Sequence, residues 1–282
     1  MAEKTALIVT SDHHINCAVA LCTPTINLDD GGTHHASRTQ REFWDYWRDF
    51  WIRTNELTAG YRRVGVFNGD IGELDTKKRS IQLITLNKAT ILRMVIDTLE
   101  PALANLDAAF FMRGTAAHTG KSSWLEEAIA NDIDITVRES EGAASWWHYR
   151  GLADRVRVDL AHHAPLGSNP TTKYNGANAL AWKAIWYYLV EHKQPAPHLI
   201  IRSHNHTKAD SADNFECRAL FTPCWTALTE HGYRIGFENA KPDIGGYVIL
   251  CDGEDYQVKK INYQLSKGKR LWKLKMRTSP RA

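Results

Sequence analysis

Residues 6–14 read ALIVTSDHH: a short apolar run, Ala6–Thr10, that ends directly in Asp12, His13 and His14. A run of that length bounded by polar residues is a strand rather than a helix. In an extended chain residues i and i+2 point to the same side. Asp12 and His14 are therefore expected to share one cation. Four more runs end in the same manner. VGVF at 64–67 leads into Asn68, Gly69 and Asp70, and AAFFM at 108–112 into Arg113, Gly114, Thr115 and, three residues on, His118. VRVDL at 156–160 leads into His162 and His163, and LII at 199–201 into His204, Asn205 and His206, which repeats the i, i+2 geometry. Seven of the 13 histidines fall in these endings, too many for five unrelated turns. Crests beyond strand ends are where sheets flanked by helices place their sites.

Between the runs lie helical patterns. Arg41–Leu57 spaces Phe43, Trp47, Phe50 and Trp51 as one apolar face. Lys77–Leu99 and Tyr174–His192 are the other helix candidates, and Tyr247–Cys251 is a sixth strand, with Ile133–Val137 a shorter one. Thr23–Ser37 and Ala209–Asn214 read as loops. Alternating strands and helices predict an α+β fold of α/β type. The aromatic faces of the helices are read as core.

Composition narrows the class. A chain of 282 residues, 43% hydrophobic, buries a sizeable core. No run approaches the roughly 20 apolar residues of a membrane helix. No secretory signal is evident at the start, so the expectation is a soluble, cytoplasmic protein without a membrane partner. Five cysteines (Cys17, Cys22, Cys217, Cys224, Cys251) make no disulfide framework and are expected as buried thiols. From Lys259 onward the chain carries nine Lys and Arg residues and no acid after Asp255. The expected division is a domain over 1–255 and a basic extension over 256–282.

Imidazole mixed with carboxylate suits Mn, Fe, Zn or Ni better than Mg or Ca. A bridging aspartate holds two ions roughly 3.5–4 Å apart. His13 and His163, adjacent to ligand positions, are expected to face away, as packing or as support for a ligand. Asn68 is expected to orient a ligand by hydrogen bond.

In motif order, from about Ile8 to His206, the chain resembles the calcineurin-like metallophosphoesterases, whose pattern is Asp-x-His, Gly-Asp, Gly-Asn-His-Asp/Glu, His and Gly-His-x-His. The resemblance implies a four-layer αββα sandwich, two mixed central sheets flanked by helices. It implies a first metal on Asp12, His14 and His206, a bridge at Asp70, and a second metal on His162 and His204. The cofactor implied is two divalent transition-metal ions, Mn foremost. Arg113 matches the phosphate-binding arginine of the protein-phosphatase branch. The third motif departs from the pattern. Thr115 stands in place of Asn, which makes it a candidate ligand of the second metal. His118 arrives two residues late, either as catalytic acid or as completion of that second site.

These readings predict a phosphoester hydrolase, foremost a phosphodiesterase or nuclease acting on DNA, RNA or nucleotides. The basic end with Trp272 is the motive for that partner. A phosphomonoesterase and an inactive metal- or phosphate-binding module are the alternatives. The segment after Asp70 lacks the second arginine of the phosphatase branch.

Overall fold

The computed structural model describes residues 3–76, 82–138, 142–164, 173–234 and 241–266. The first sheet has the order β12-β11-β1-β4-β5. Its members are β1 (Thr5–Thr10), β4 (Arg62–Asn68), β5 (Ala108–Met112), β11 (Ile244–Asp252) and β12 (Asp255–Tyr263). The second has the order β6-β7-β8-β10-β9, from β6 (Tyr149–Ala153), β7 (Val156–Leu160), β8 (Leu199–Arg202), β9 (Ala209–Asp210) and β10 (Arg218–Phe221). A small hairpin pairs β2 (Thr25–Asn27) with β3 (Thr33–His35). The helices are α1 (Arg38–Leu57), α2 (Lys88–Leu103), α3 (Ala116–Thr119), α4 (Trp124–Asn131), α5 (Lys173–Trp186) and α6 (Glu230–Arg234).

Alternation within the strands sets the layers. Leu7, Val9, Val64, Val66, Phe110 and Met112 of the first sheet share one core with Val156, Val158, Leu160, Leu199, Ile201 and Leu220 of the second. The sheets therefore pack face to face. Ala6, Ile8, Phe67, Ala109 and Phe111 point the other way, into a core with α1, α2 and α4. Ile200, Ala219 and Phe221 meet Ala177, Ala181 and Ala184 of α5 on the far side. The result is the expected four-layer sandwich of two mixed sheets between helices.

Local chemistry explains the main helix. Ser37 Oγ accepts from Gln40 N at 3.2 Å while Ser37 N donates to Gln40 Oε1 at 2.9 Å, a reciprocal cap. Phe43, Trp47, Phe50 and Trp51 are buried, so the aromatic stripe is core. Each such side chain stabilises by about 1.5–3 kcal/mol on burial.

Several boundaries differ from the sequence reading. Asn87 Oδ1 accepts from Thr90 N at 3.0 Å and starts α2 at Lys88, so residues 82–87 of the expected helix are irregular and residues 77–81 lie outside the described residues. The stretch Ile133–Val137 is not a strand; it touches β5 at one bridge, Ala109 with Thr136. The loop Thr23–Ser37 holds the β2–β3 hairpin, and the loop from Ala209 begins with β9. The division after Asp255 falls within β12, which pairs with β11 from Asp255 to Tyr263. Residues 267–282, with Trp272 and most of the basic end, lie outside the described residues. Among the described residues no helix is long and apolar enough to cross a membrane.

Candidate metal centre

β1, β4 and β5 run parallel, as do β7, β8 and β10. Their C-terminal ends carry the five motifs to one crest. There the chain is no longer extended. Asp12, His14, Asp70, His204 and His206 all have left-handed backbone, with φ between 47° and 73°. The expectation of Asp12 with His14 and His204 with His206 as strand neighbours on one face is thus replaced. Each pair converges because both members turn into the left-handed region, which Asp and His enter more readily than bulkier residues.

The crests are tied to one another. Asp12 N donates to Gly69 O and His14 N to Asp70 O, both at 3.0 Å. His204 N donates to Asp12 Oδ2 at 3.1 Å. Behind Asp12, Ser11 Oγ donates to its Oδ2 at 2.7 Å and meets Thr222 Oγ1 at 2.5 Å, and Thr222 donates to Ser203 Oγ at 2.7 Å. Asn68 Nδ2 donates to that same Ser203 hydroxyl at 2.5 Å.

The first group of ligand atoms is Asp12, His14 and His206. His206 Nε2 lies 3.3 Å from Asp12 Oδ1 and 3.1 Å from His14 Nε2. His14 Nδ1 donates to Glu73 Oε2 at 2.7 Å, which turns its Nε2 lone pair towards the group. Asp12 Oδ1 is buried and accepts no hydrogen bond among the described residues. An orphaned carboxylate oxygen facing two imidazole nitrogens fits a cation.

The second group joins Asp70 and His162, with His163 and His204 beside them. His162 Nδ1 donates to Asn68 O at 2.6 Å, and its Nε2 lies 3.1 Å from Asp70 Oδ2. Asn68 thus orients a ligand through its carbonyl rather than its side chain. Thr115 N donates to Asp70 Oδ1 at 2.5 Å. Thr115 Oγ1 lies 3.0 Å from Asp70 Oδ2 and 3.2 Å from both His163 Nε2 and His204 Nδ1.

Two glycines make room. Gly69 has φ +85°, and a Cβ there would run into the His162 imidazole. A Cβ on Gly114 would strike Asp70.

Electrostatics follow from the crowding. Burial alone would raise the carboxyls of Asp12 and Asp70, but the neighbouring histidines, His162 foremost, hold both well below the usual range. Burial would keep His162 neutral; Asp70 and Asp12 outweigh it and hold the ring at about 10. Burial pushes His13 down to about 3.

Most predicted site residues meet at the crest. Asp12, His14, Asp70, His162, His204 and His206 come together, and Thr115 joins the second group. His118 lies on the other side, against His14. Its Nδ1 donates to Glu73 at 2.8–2.9 Å, and its ring centroid is 4.6 Å from that of His14. His13 faces away as expected, buried edge-on against Trp47 at 5.4 Å. His163 faces inward, against the expectation that a ligand's neighbour points away, because the chain has left the strand by Ala161. Arg113 is not brought to the ligands. Its guanidinium donates to Ser145 Oγ at 2.9 Å and Glu127 Oε2 at 3.3 Å and lies over the Trp147 ring at 5.2 Å. None of the metal-capable groups among the described residues includes a cysteine, and all five thiols are buried and free.

Two carboxylates escaped the sequence reading. Glu73 stands three residues beyond Asp70 and receives both His14 and His118; that spacing was a usable signal. Glu126 of α4 is fully buried, with burial and then Asp70 pushing its carboxyl up to about 8. A helical Glu gives no such signal in sequence.

No protein-family model matches the chain, and no match is found among curated proteins. Solved structures do align with it. One is a conserved protein from Streptococcus pneumoniae described as a predicted phosphoesterase (TM-score 0.38, 8% identity, covering 93% of this chain and 91% of that one). Another is Yfce, a phosphoesterase from E. coli (TM-score 0.39, 10% identity, 88% of each chain). A third is wild-type Vps29 from Entamoeba histolytica, complexed with zinc (TM-score 0.38, 11% identity, 92% of this chain and 99% of that one). Likenesses this weak fix neither activity nor partner; the case for a function stands on the cluster itself.

Proposed function

We propose that this protein is a calcineurin-like metallophosphoesterase, a metal-dependent phosphoester hydrolase that favours diesters. The observation that carries the reading is the convergence of Asp12, His14 and His206 beside Asp70, His162 and His204, with Asp12 Oδ1 left unpartnered in the middle. Asp12, His14 and His206 would hold one ion and His162 and His204 a second, with Asp70 between the two sets and the Thr115 hydroxyl beside the second. Nitrogen and carboxylate donors favour Mn, Fe, Zn or Ni. When bound, two such ions supply charge that offsets the phosphate's and lower the pKa of a bound water.

The chain's own groups do the rest. The crest bonds fix the ligands before substrate arrives. Glu73 holds the Nδ1 protons of His14 and His118, which sets the tautomer of each. As the imidazolium, His118 keeps its Nδ1 proton on Glu73 and delivers the Nε2 proton to the leaving oxygen, becoming neutral, a role typically contributing about 10²–10⁴-fold. Arg113, committed to Glu127 and Ser145, is assigned to the rim rather than to the phosphate. Glu73 also stands three residues after Asp70. A carboxylate there repels a dianionic monoester more than a monoanionic diester, which supports diesters such as those of nucleic acid or nucleotides.

The test compares bis(p-nitrophenyl) phosphate with p-nitrophenyl phosphate on Mn²⁺-loaded protein. Diester turnover that drops more than about 10²-fold in Asp70→Asn is the expected result. Monoester preference would overturn the diester reading. Bound metal without turnover of either ester would leave a binding module instead.

A further inference from the structure

Trp147 is 53% exposed, although it sits on the crest that carries the ligands. Trp146 bridges to Met112 at the end of β5, and its carbonyl accepts from Arg113 N at 2.7 Å. Two residues after Trp147, β6 opens with Tyr149 paired to Leu160, the last residue of β7. The Trp147 backbone therefore lies between the ends of β5 and β7. Arg113 is two residues from Thr115, at most about 7 Å of chain, and Leu160 is two residues from His162.

The ring is also held in place. The Arg113 guanidinium lies 5.2 Å from its centroid. Glu127 fixes that guanidinium and in turn accepts from Ala144 N at 2.8 Å and Ser145 N at 3.0 Å. The Arg113–Glu127 pair is neutral overall, so this corner offers no net charge for a phosphate. It offers a flat ring braced by a cation.

We propose that Trp147, backed by Arg113, is a stacking subsite for the nucleobase next to the scissile phosphate, which makes the substrate a nucleotide ester or single-stranded nucleic acid. This rests on the phosphodiesterase reading above. A base stacks on an exposed indole without sequence preference, a contact worth about tenfold or more in affinity.

Two ligands with the same phosphates isolate the contact: a short oligothymidylate and an abasic phosphodiester chain of equal length. Affinity is measured by anisotropy in chelator, and KM on Mn²⁺-loaded protein. The wild type is expected to favour the base-bearing chain about tenfold in both readouts. Trp147→Ala is expected to erase that ratio, and Trp147→Phe to retain most of it, which also shows that the corner still folds. A wild-type ratio near one, or a ratio unaffected by Trp147→Ala, overturns the subsite. If the wild type cleaves neither chain, the hydrolase reading fails, and the affinity ratio still decides the subsite.

Discussion

Glu126 gives the sharpest quantitative test of the crest. It is fully buried on α4, and neither carboxylate oxygen finds a hydrogen-bond donor of good geometry among the described residues. The nearby Thr119 hydroxyl pulls the other way, but it is committed to the Thr115 carbonyl at 3.1 Å. Burial, then Asp70, raises the carboxyl from 4.5 to about 8. Between those values the folded protein keeps a proton that the unfolded chain has released. The unfolded state binds fewer protons, so stability falls as pH rises through this window, and the loss is complete above about 8. At about 1.4 kcal/mol per pH unit the ceiling is about 5 kcal/mol. Glu126→Gln keeps the shape and removes the ionisation. Urea unfolding of both proteins in chelator, from pH 5 to pH 9, isolates this group, because other titrations cancel in the difference. The gap in favour of the variant should widen with pH to several kcal/mol, a midpoint shift on the order of 1 M urea. A gap independent of pH, or a wild type more stable than the variant at pH 9, refutes the reasoning.

Other substitutions probe the ligands directly. Gly69→Ala forces a Cβ into His162 at a backbone angle that costs roughly 1–3 kcal/mol by itself; a lowered Tm together with reduced metal content is expected, and normal metal content would count against the packing argument. Metal must displace the proton that Asp70 and Asp12 hold on His162, so affinity should rise with pH up to about 10. Calorimetry in buffers of differing ionisation enthalpy should detect the released proton, and its absence would mean that His162 is not a ligand. Glu73→Gln loosens the tautomer of His14 and should weaken metal binding about 10- to 100-fold; unchanged affinity on equilibrium dialysis would remove Glu73 from the centre.

What the sequence made legible was the strands and the ligand types. The short runs ALIVT and VRVDL marked strands, and Asp12, Asp70, His162, His204 and His206 fell at strand ends where the crest forms; β1 is buried on both faces, so its run is apolar throughout and does not tell inward from outward residues. Edge strands were harder to read. β6 (YRGLA) and β12 (DYQVKKINY) carry few apolar residues because one face of each meets solvent. Their identity comes from pairing with β7 and β11, which no local pattern encodes. The same limit applies to Arg113. Its position in the motif suggested a phosphate ligand, but Glu127, fourteen residues on, and Ser145, thirty-two on, hold the guanidinium elsewhere. His163 turns inward for a related reason: β7 ends at Leu160, so strand alternation no longer governs a residue three positions on, and of its two expected roles the structure leaves support of a ligand rather than packing.

The left-handed turns at Asp12, His14, Asp70, His204 and His206 set a physical requirement on the whole molecule. Each costs up to roughly 1–3 kcal/mol, and five of them together rival the roughly 5–15 kcal/mol by which a domain is stable. Such a crest persists only where the surroundings over-determine it. The bonds that do so run between motifs rather than within them. Trp225 N donates to Asp12 O at 3.0 Å, Asp243 N to His206 O at 3.0 Å and Ser203 N to His162 O at 2.8 Å. The turns at Asp12 and His206, and the His162 segment beside them, are thus each held from a different part of the chain. Releasing one unsettles its neighbours, so the ligands behave as one unit and not as five loops. That interdependence explains why the two sheets must pack before the centre exists. The ligands of the first ion come from β1 and β8, which lie in different sheets, and the shared core of Val9, Val66, Leu160 and Ile201, with the crest bonds from His204 to Asp12 and from Asn68 to Ser203, fixes those sheets together. A cation bound there is coupled to the packing of the sandwich, and metal removal should loosen the sheet-to-sheet contact before it loosens either sheet.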